Sequence, residues 1–221
     1  MGNSGLSDNY VADAAQSFKM ICIGLLDVAY AEIATSWRVT REWQENAISE
    51  IVADRMNANP TTIQMHITAI VEKRLLSDDL SQAQPTVDNA PRIDIKIGGF
   101  EWSQNEKRVA YYMEAKNLYS HDFQKTNNTT ITQSSAYAKR YIKTGIDHLL
   151  CGYYPEEALL LGYVLVGTVH EAVDKVNTHL KEDGRDSEHI NLGTSSFFPH
   201  LVFGISGHPN GKSVEHCYMA F

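Results

Sequence analysis

Apolar residues recur near every 3.6 positions through residues 8–35: Val11, Ala14, Phe18, Ile21, Leu25, Val28 and Ile33. That spacing predicts a long amphipathic helix, with Ser7 or Asp8 placed to cap it. A second helix is expected over 40–57, with Trp43, Ala47, Ile51 and Met56 turned inward. Glu42 and Glu45 fall in its first turns, where acids suit the positive end of the helix dipole. Asn59-Pro60-Thr61 then joins an N-cap to a proline at the first helical position. A third helix is expected from there to about residue 77, carrying Ile63, Ile67, Ile70, Val71 and Leu75. Residues 79–90 are polar and turn-rich and read as a loop or a weak edge strand, and no clear strand precedes Pro91.

Beyond Pro91 the period changes from helical to 2. Residues 91–97 and 108–116 alternate apolar and polar side chains on either side of a connection opened by Gly98-Gly99, which predicts a β-hairpin. A polar stretch over 117–130 precedes a strong helix expected over 132–150. The unbroken apolar run of 158–169 reads as a fully buried strand. A helix over 171–181 and a charged loop to 188 follow. Two strands, 200–206 and 213–221, then flank Asn210-Gly211, the strongest short turn signal in the chain.

These elements predict one α/β domain, a mixed central sheet flanked by helices. A helical extension (1–38) precedes the core (40–169), and a C-terminal helix and β-hairpin (170–221) follow it. The chain has 221 residues, 43% hydrophobic and 21% charged, ordinary for a soluble protein with a sizeable core. Cys22, Cys151 and Cys217 are far apart with no CxxC pair, which fits reduced thiols. The polar N-terminus has no secretory pattern, and the apolar run near 20–31 is too short and charged to span a bilayer. A cytoplasmic protein with no membrane partner is expected.

The hairpin carries the chemistry. Arg92, Asp94 and Lys96 share one face of the first strand, and Glu114 and Lys116 share one face of the second. If those faces coincide, two carboxylates and an ammonium converge, which is costly unless a cation sits among them. Magnesium prefers oxygen ligands and retains waters, so Asp94, Glu114 and the carbonyl of Ala115 would suffice, with Mn²⁺ able to substitute. Lys116 would position or deprotonate water and offset charge on a reacting phosphodiester. The alternative is a surface ion pair on an exposed hairpin face.

Asp94 with Glu114-Ala115-Lys116 on adjacent strands resembles the PD-(D/E)XK nuclease superfamily, the restriction-endonuclease-like fold. Gln133-x-x-x-Tyr137 on the following helix is similar to the motif of its RecB-like branch, with Tyr141 extending the row. The resemblance covers about 50–169, and Ile93 stands where the family has proline before its aspartate. It implies a restriction-endonuclease-like core and a Mg²⁺-dependent deoxyribonuclease in restriction, repair or defence against foreign DNA. Asp94, Glu114, Lys116, Gln133 and Tyr137 would serve catalysis. Asp94, Glu114, Ala115 and a helical acid, Glu50 or alternatively Glu45, would serve the metal. The other reading is an inactive nuclease-fold module that binds nucleic acid, a partner protein or a second copy of itself.

Charge distribution fits a DNA partner. The net charge is −8, which argues against coating nucleic acid non-specifically, yet residues 107–143 hold seven basic and two acidic side chains. Gly207–Ser213 is one residue short of a phosphate-binding loop and reads as a hairpin turn, while His208, His216 and Cys217 read as structural.

Overall fold

The computed structural model describes residues 8–74, 92–98, 110–126, 130–154 and 158–221. Helix α1 (Asp8–Ser36) buries Phe18, Cys22, Leu25, Leu26, Ala29 and Ile33, one continuous stripe, while Val28 faces out. This face packs into the same apolar cluster as the central sheet, so α1 is a layer of the domain. Asp27, buried within it, accepts the His200 backbone N–H at 3.0 Å. The Tyr30 hydroxyl bonds Ala220 at both its carbonyl and its N–H.

Helix α2 (Glu45–Ala58) starts five residues later than expected, because Gln44 is extended and ends the preceding segment. Helix α3 (Pro60–Gln64) has the expected Asn59 cap, whose side chain accepts the Thr61 N–H at 2.9 Å. The third helix stops there, contrary to the sequence reading. His66 turns the chain through φ 52, and strand β1 (Thr68–Arg74) follows. Ile67 and Ala69 are buried whereas Ile63 and Ile70 are exposed, which is alternation and not a helical stripe. The Asn57 side chain completes the edge by bonding both the N–H and the carbonyl of Ala69.

Strands β2 (Arg92–Gly98) and β3 (Ala110–Tyr119) form the expected antiparallel pair, and β1 pairs antiparallel with β2. Their connection, 99–109, lies outside the described residues, as do Leu75 and the basic residues Lys107 and Arg108. A small hairpin follows, β4 (Phe123–Gln124) with β5 (Ile131–Thr132). The predicted helix over 132–150 is one helical stretch with three parts: α4 (Ser134–Arg140), a π turn (Tyr141–Ile146) and α5 (Asp147–Leu150). It crosses over to β6 (Leu159–Val166), parallel to β3.

Helix α6 (Val169–Glu182) opens with a capping box between Thr168 and Glu171. A 3₁₀ turn (Asp186–Glu188) leads to β7 (Asn191–Thr194), which the sequence reading did not contain. Strands β8 (Val202–Gly207) and β9 (Ser213–Ala220) are the C-terminal hairpin, closed where Gly211 takes φ +78. The hairpin is part of the main sheet, since β9 lies parallel to β6.

The result is an α/β architecture with a mixed seven-stranded sheet in the order β1-β2-β3-β6-β9-β8-β7. One apolar cluster joins the sheet to α1 and α2 through residues such as Leu26, Ile48, Met113 and Leu161. The other joins it to the crossover helix and α6 through Tyr141, Ile146, Leu160 and Val176. Strand β6 is buried on both faces, as its apolar run requires. No described helix is long and apolar enough to cross a membrane.

Candidate functional site

Strands β2 and β3 stay in register as far as Ile95 opposite Met113. Beyond that pair the side chain of Asp94 takes over, its carboxylate accepting the Ala115 backbone N–H at 2.7 Å. This stitch anchors Asp94 to the segment that presents Glu114 and Lys116, both almost fully buried. The Lys116 ammonium donates to Glu114 Oε1 and, at 2.8 Å, to the Ala115 carbonyl. It also lies 4.0 Å from Asp94 Oδ2. Tyr154 donates its hydroxyl to Glu114 Oε1 at 2.9 Å. The three residues singled out in the hairpin are therefore brought together.

Burial dominates the electrostatics. It pushes the Glu114 carboxyl up to about 8, helped by the like charge of Asp94 and opposed by Lys116 and the Tyr154 hydroxyl. Burial also raises Asp94, against the pull of Lys116 and the Ala115 N–H. Tyr154 is held protonated by burial and by Glu114, so it stays a donor. Glu114 Oε2 is buried with no hydrogen-bond partner among the described residues. An ionised oxygen left in that state is costly and calls for a proton or a cation.

Asp94 lines a cavity of about 460 Å³ with Glu45, Glu72, Tyr137 and Arg140. Because α2 begins at Glu45, this glutamate sits at the helix entrance. Its two oxygens are occupied by the Asn117 backbone N–H and the Arg140 guanidinium, each at 2.9 Å. Glu50 is exposed and does not line the cavity. Five residues along a helix turn a side chain about 140° away, so α2 brings Glu45 to the site and not Glu50. Tyr137 reaches the cavity, edge-on to Tyr119 with ring centroids 4.6 Å apart. Gln133 stands exposed at the N-cap of α4 without a capping bond, outside the cluster. Tyr141 does not extend the row, because it is fully buried and bonds His216 and Tyr218.

Three participants escaped the sequence reading. Glu72 was hidden in a stretch read as helix; it lies beside Asp94 at φ 48, a strained region for a residue with a side chain. Arg140 stands in the sequence only as one member of a basic band, and nothing local to Tyr154 marks it as a partner of Glu114.

No group of three histidine, cysteine or acidic side chains among the described residues is placed to hold a metal ion. The donor set at the hairpin is two carboxylates, Asp94 and Glu114, with the Ala115 carbonyl beside them. All are oxygens, one of them a buried orphan, which suits a hard cation that keeps several waters. Compared with protein-family models, curated proteins and solved structures, the chain matches none.

Proposed function

We propose that the protein is a magnesium-dependent nuclease of restriction-endonuclease-like fold that hydrolyses phosphodiester bonds in DNA. The observation that carries this reading is the Asp94 carboxylate stitched to the Ala115 N–H, beside the buried Glu114–Lys116 pair. Asp94, Glu114 and the Ala115 carbonyl would hold the ion, and Mn²⁺ would substitute. The chemistry that a Mg²⁺ held there would supply is polarisation of the phosphoryl oxygen and a lower pKa for the attacking water. Lys116 offsets the negative charge that develops on the phosphoryl group. Tyr154 fixes the Glu114 carboxylate through its hydroxyl. Arg140 and Tyr137, on the cavity wall, would orient a backbone phosphate.

A role in restriction, repair or defence follows from the same reading. The test is cleavage of plasmid and linear DNA, with RNA in parallel, in Mg²⁺ and in chelator. Asp94→Ala, Glu114→Ala and Lys116→Ala should each lose about two orders of magnitude or more of Mg²⁺-dependent activity while remaining folded. Full activity in both Glu114→Ala and Lys116→Ala would overturn the assignment.

One feature favours a second reading, a nuclease-fold module that binds without cutting. Lys116 already compensates one of the two carboxylates, and a proton on Glu114, whose carboxyl burial pushes up to about 8, would complete the balance without an ion. Calorimetric titration with Mg²⁺ and Mn²⁺ separates the readings, since a module blind to both metals would be the binding protein.

A further inference from the structure

The Lys116 ammonium bonds two of the three oxygen groups that the proposed metal would use and stands close to the third. It donates to Glu114 Oε1 and to the Ala115 carbonyl, and its nearest Asp94 oxygen is 4.0 Å away. A divalent cation among those ligands and an ammonium in the same place exclude each other, because like charges at that separation repel strongly in a buried setting. The side chain is about 6% exposed, so the ammonium is enclosed with its partners and not a solvent-facing charge that swings aside freely.

We propose that Lys116 is a resident counter-cation that must leave its seat before the metal enters, and that a DNA phosphate is what draws it out. The idea rests on the nuclease reading above and adds to it a regulation of the same site. A phosphate approaching through the cavity beside Asp94 offers the ammonium a new anionic partner. Movement of Lys116 toward it frees the Ala115 carbonyl and leaves Glu114 Oε1 only its bond from the Tyr154 hydroxyl. DNA and metal then bind with positive coupling, each raising the affinity for the other by the same factor. Without DNA the protein holds metal weakly and keeps its carboxylates compensated, so the loaded state forms on substrate.

Mn²⁺ binding to the full-length protein, followed by the electron paramagnetic resonance of the free ion, tests this without turnover. In the absence of DNA, Lys116→Met should bind Mn²⁺ about tenfold more tightly than the wild type. A phosphorothioate duplex, charged but slow to cleave, should tighten Mn²⁺ binding by the wild type by a similar factor. The same duplex should change Lys116→Met less than about twofold, because the coupling element is gone. Lys181→Gln removes an exposed positive charge at the end of α6, away from the cavity, and should leave Mn²⁺ affinity within about twofold of wild type.

Unchanged or weaker binding in Lys116→Met, or an equal gain in Lys181→Gln, overturns the proposal. If Glu114→Ala abolishes Mn²⁺ binding while Lys116→Met leaves it unchanged, the metal site stands and only the displacement idea falls. If no form binds Mn²⁺ with or without DNA, the nuclease reading falls with it. Should Lys116→Met fail to fold by circular dichroism, Lys116→Gln decides by the same criteria.

Discussion

Ser206, fully buried on β8, holds its hydroxyl oxygen 2.9 Å from Nε2 of two imidazoles, His208 and His216. His208 Nδ1 meets Glu188 at 2.5 Å, and His216 Nδ1 meets the Tyr141 hydroxyl at 2.8 Å. Glu188, His208 and Ser206 stand in the order of a serine nucleophile relay, but no solvent reaches Ser206, so the chain is a brace between sheet and helices. His216 is held neutral: burial first, and then the neighbouring His208, push it from 6.5 down to about 3. The unfolded chain binds a proton on this residue below 6.5 that the folded protein refuses. Its contribution to stability is therefore complete above 6.5 and declines as pH falls toward about 3. Glu188, lowered chiefly by its bonds to Arg185, adds a loss of the same sign in acid. Thermal midpoints measured against pH should fall across this window, and His216→Gln should flatten the slope while lowering the midpoint at neutral pH.

At the scale of elements, α1 and β6 set the tolerance to change. Leu26 has no exposed surface and sits midway along the α1 stripe, so Leu26→Ala should cost about 2–5 kcal/mol in urea denaturation. A loss near zero would mean that α1 packs as an appendage after all. Gly162 lies where β6 passes the Tyr218 ring, and a Cβ there would fall 2.4 Å from Tyr218 Cδ1. That ring is stacked on His216 and bonded to Tyr141, so it has little room to give. Gly162→Ala should destabilise by about 1–3 kcal/mol in the same assay, through overpacking and not through backbone strain.

Over the whole molecule, charge is distributed unevenly. Residues 107–143 carry +5 and the rest of the chain −13. Lys139, Arg140 and Lys143 stand exposed on the helical stretch that also brings Arg140 and Tyr137 to the cavity. If DNA follows this band, its affinity falls with salt in proportion to the phosphates engaged. Reversing Lys139 and Lys143 to glutamate should then lower the slope of log affinity against log salt by about two, with fold and metal binding intact. Fluorescence anisotropy at several salt concentrations measures it. Much of the site was legible beforehand because Asp94, Glu114 and Lys116 lie on two neighbouring strands, where parity alone puts side chains on a face. Glu72 and Tyr154 were not, because their places depend on β1 pairing with β2 and on the far end of the crossover helix.

The chain's own pattern determined what near neighbours decide: the long first helix, the Asn59 cap, the period-2 strands, the buried run of β6 and the Asn210-Gly211 turn. Each follows from backbone geometry and from apolar spacing within a few residues. Tertiary structure alone decided whether 68–74 would be helix or strand, and it chose strand because β2 and the Asn57 side chain supply the hydrogen bonds. It also decided that Glu45 and not Glu50 lines the cavity with Asp94, and that the C-terminal hairpin would join the main sheet beside β6. Those outcomes rest on partners from 12 to 56 residues apart, whose burial and pairing no local period encodes.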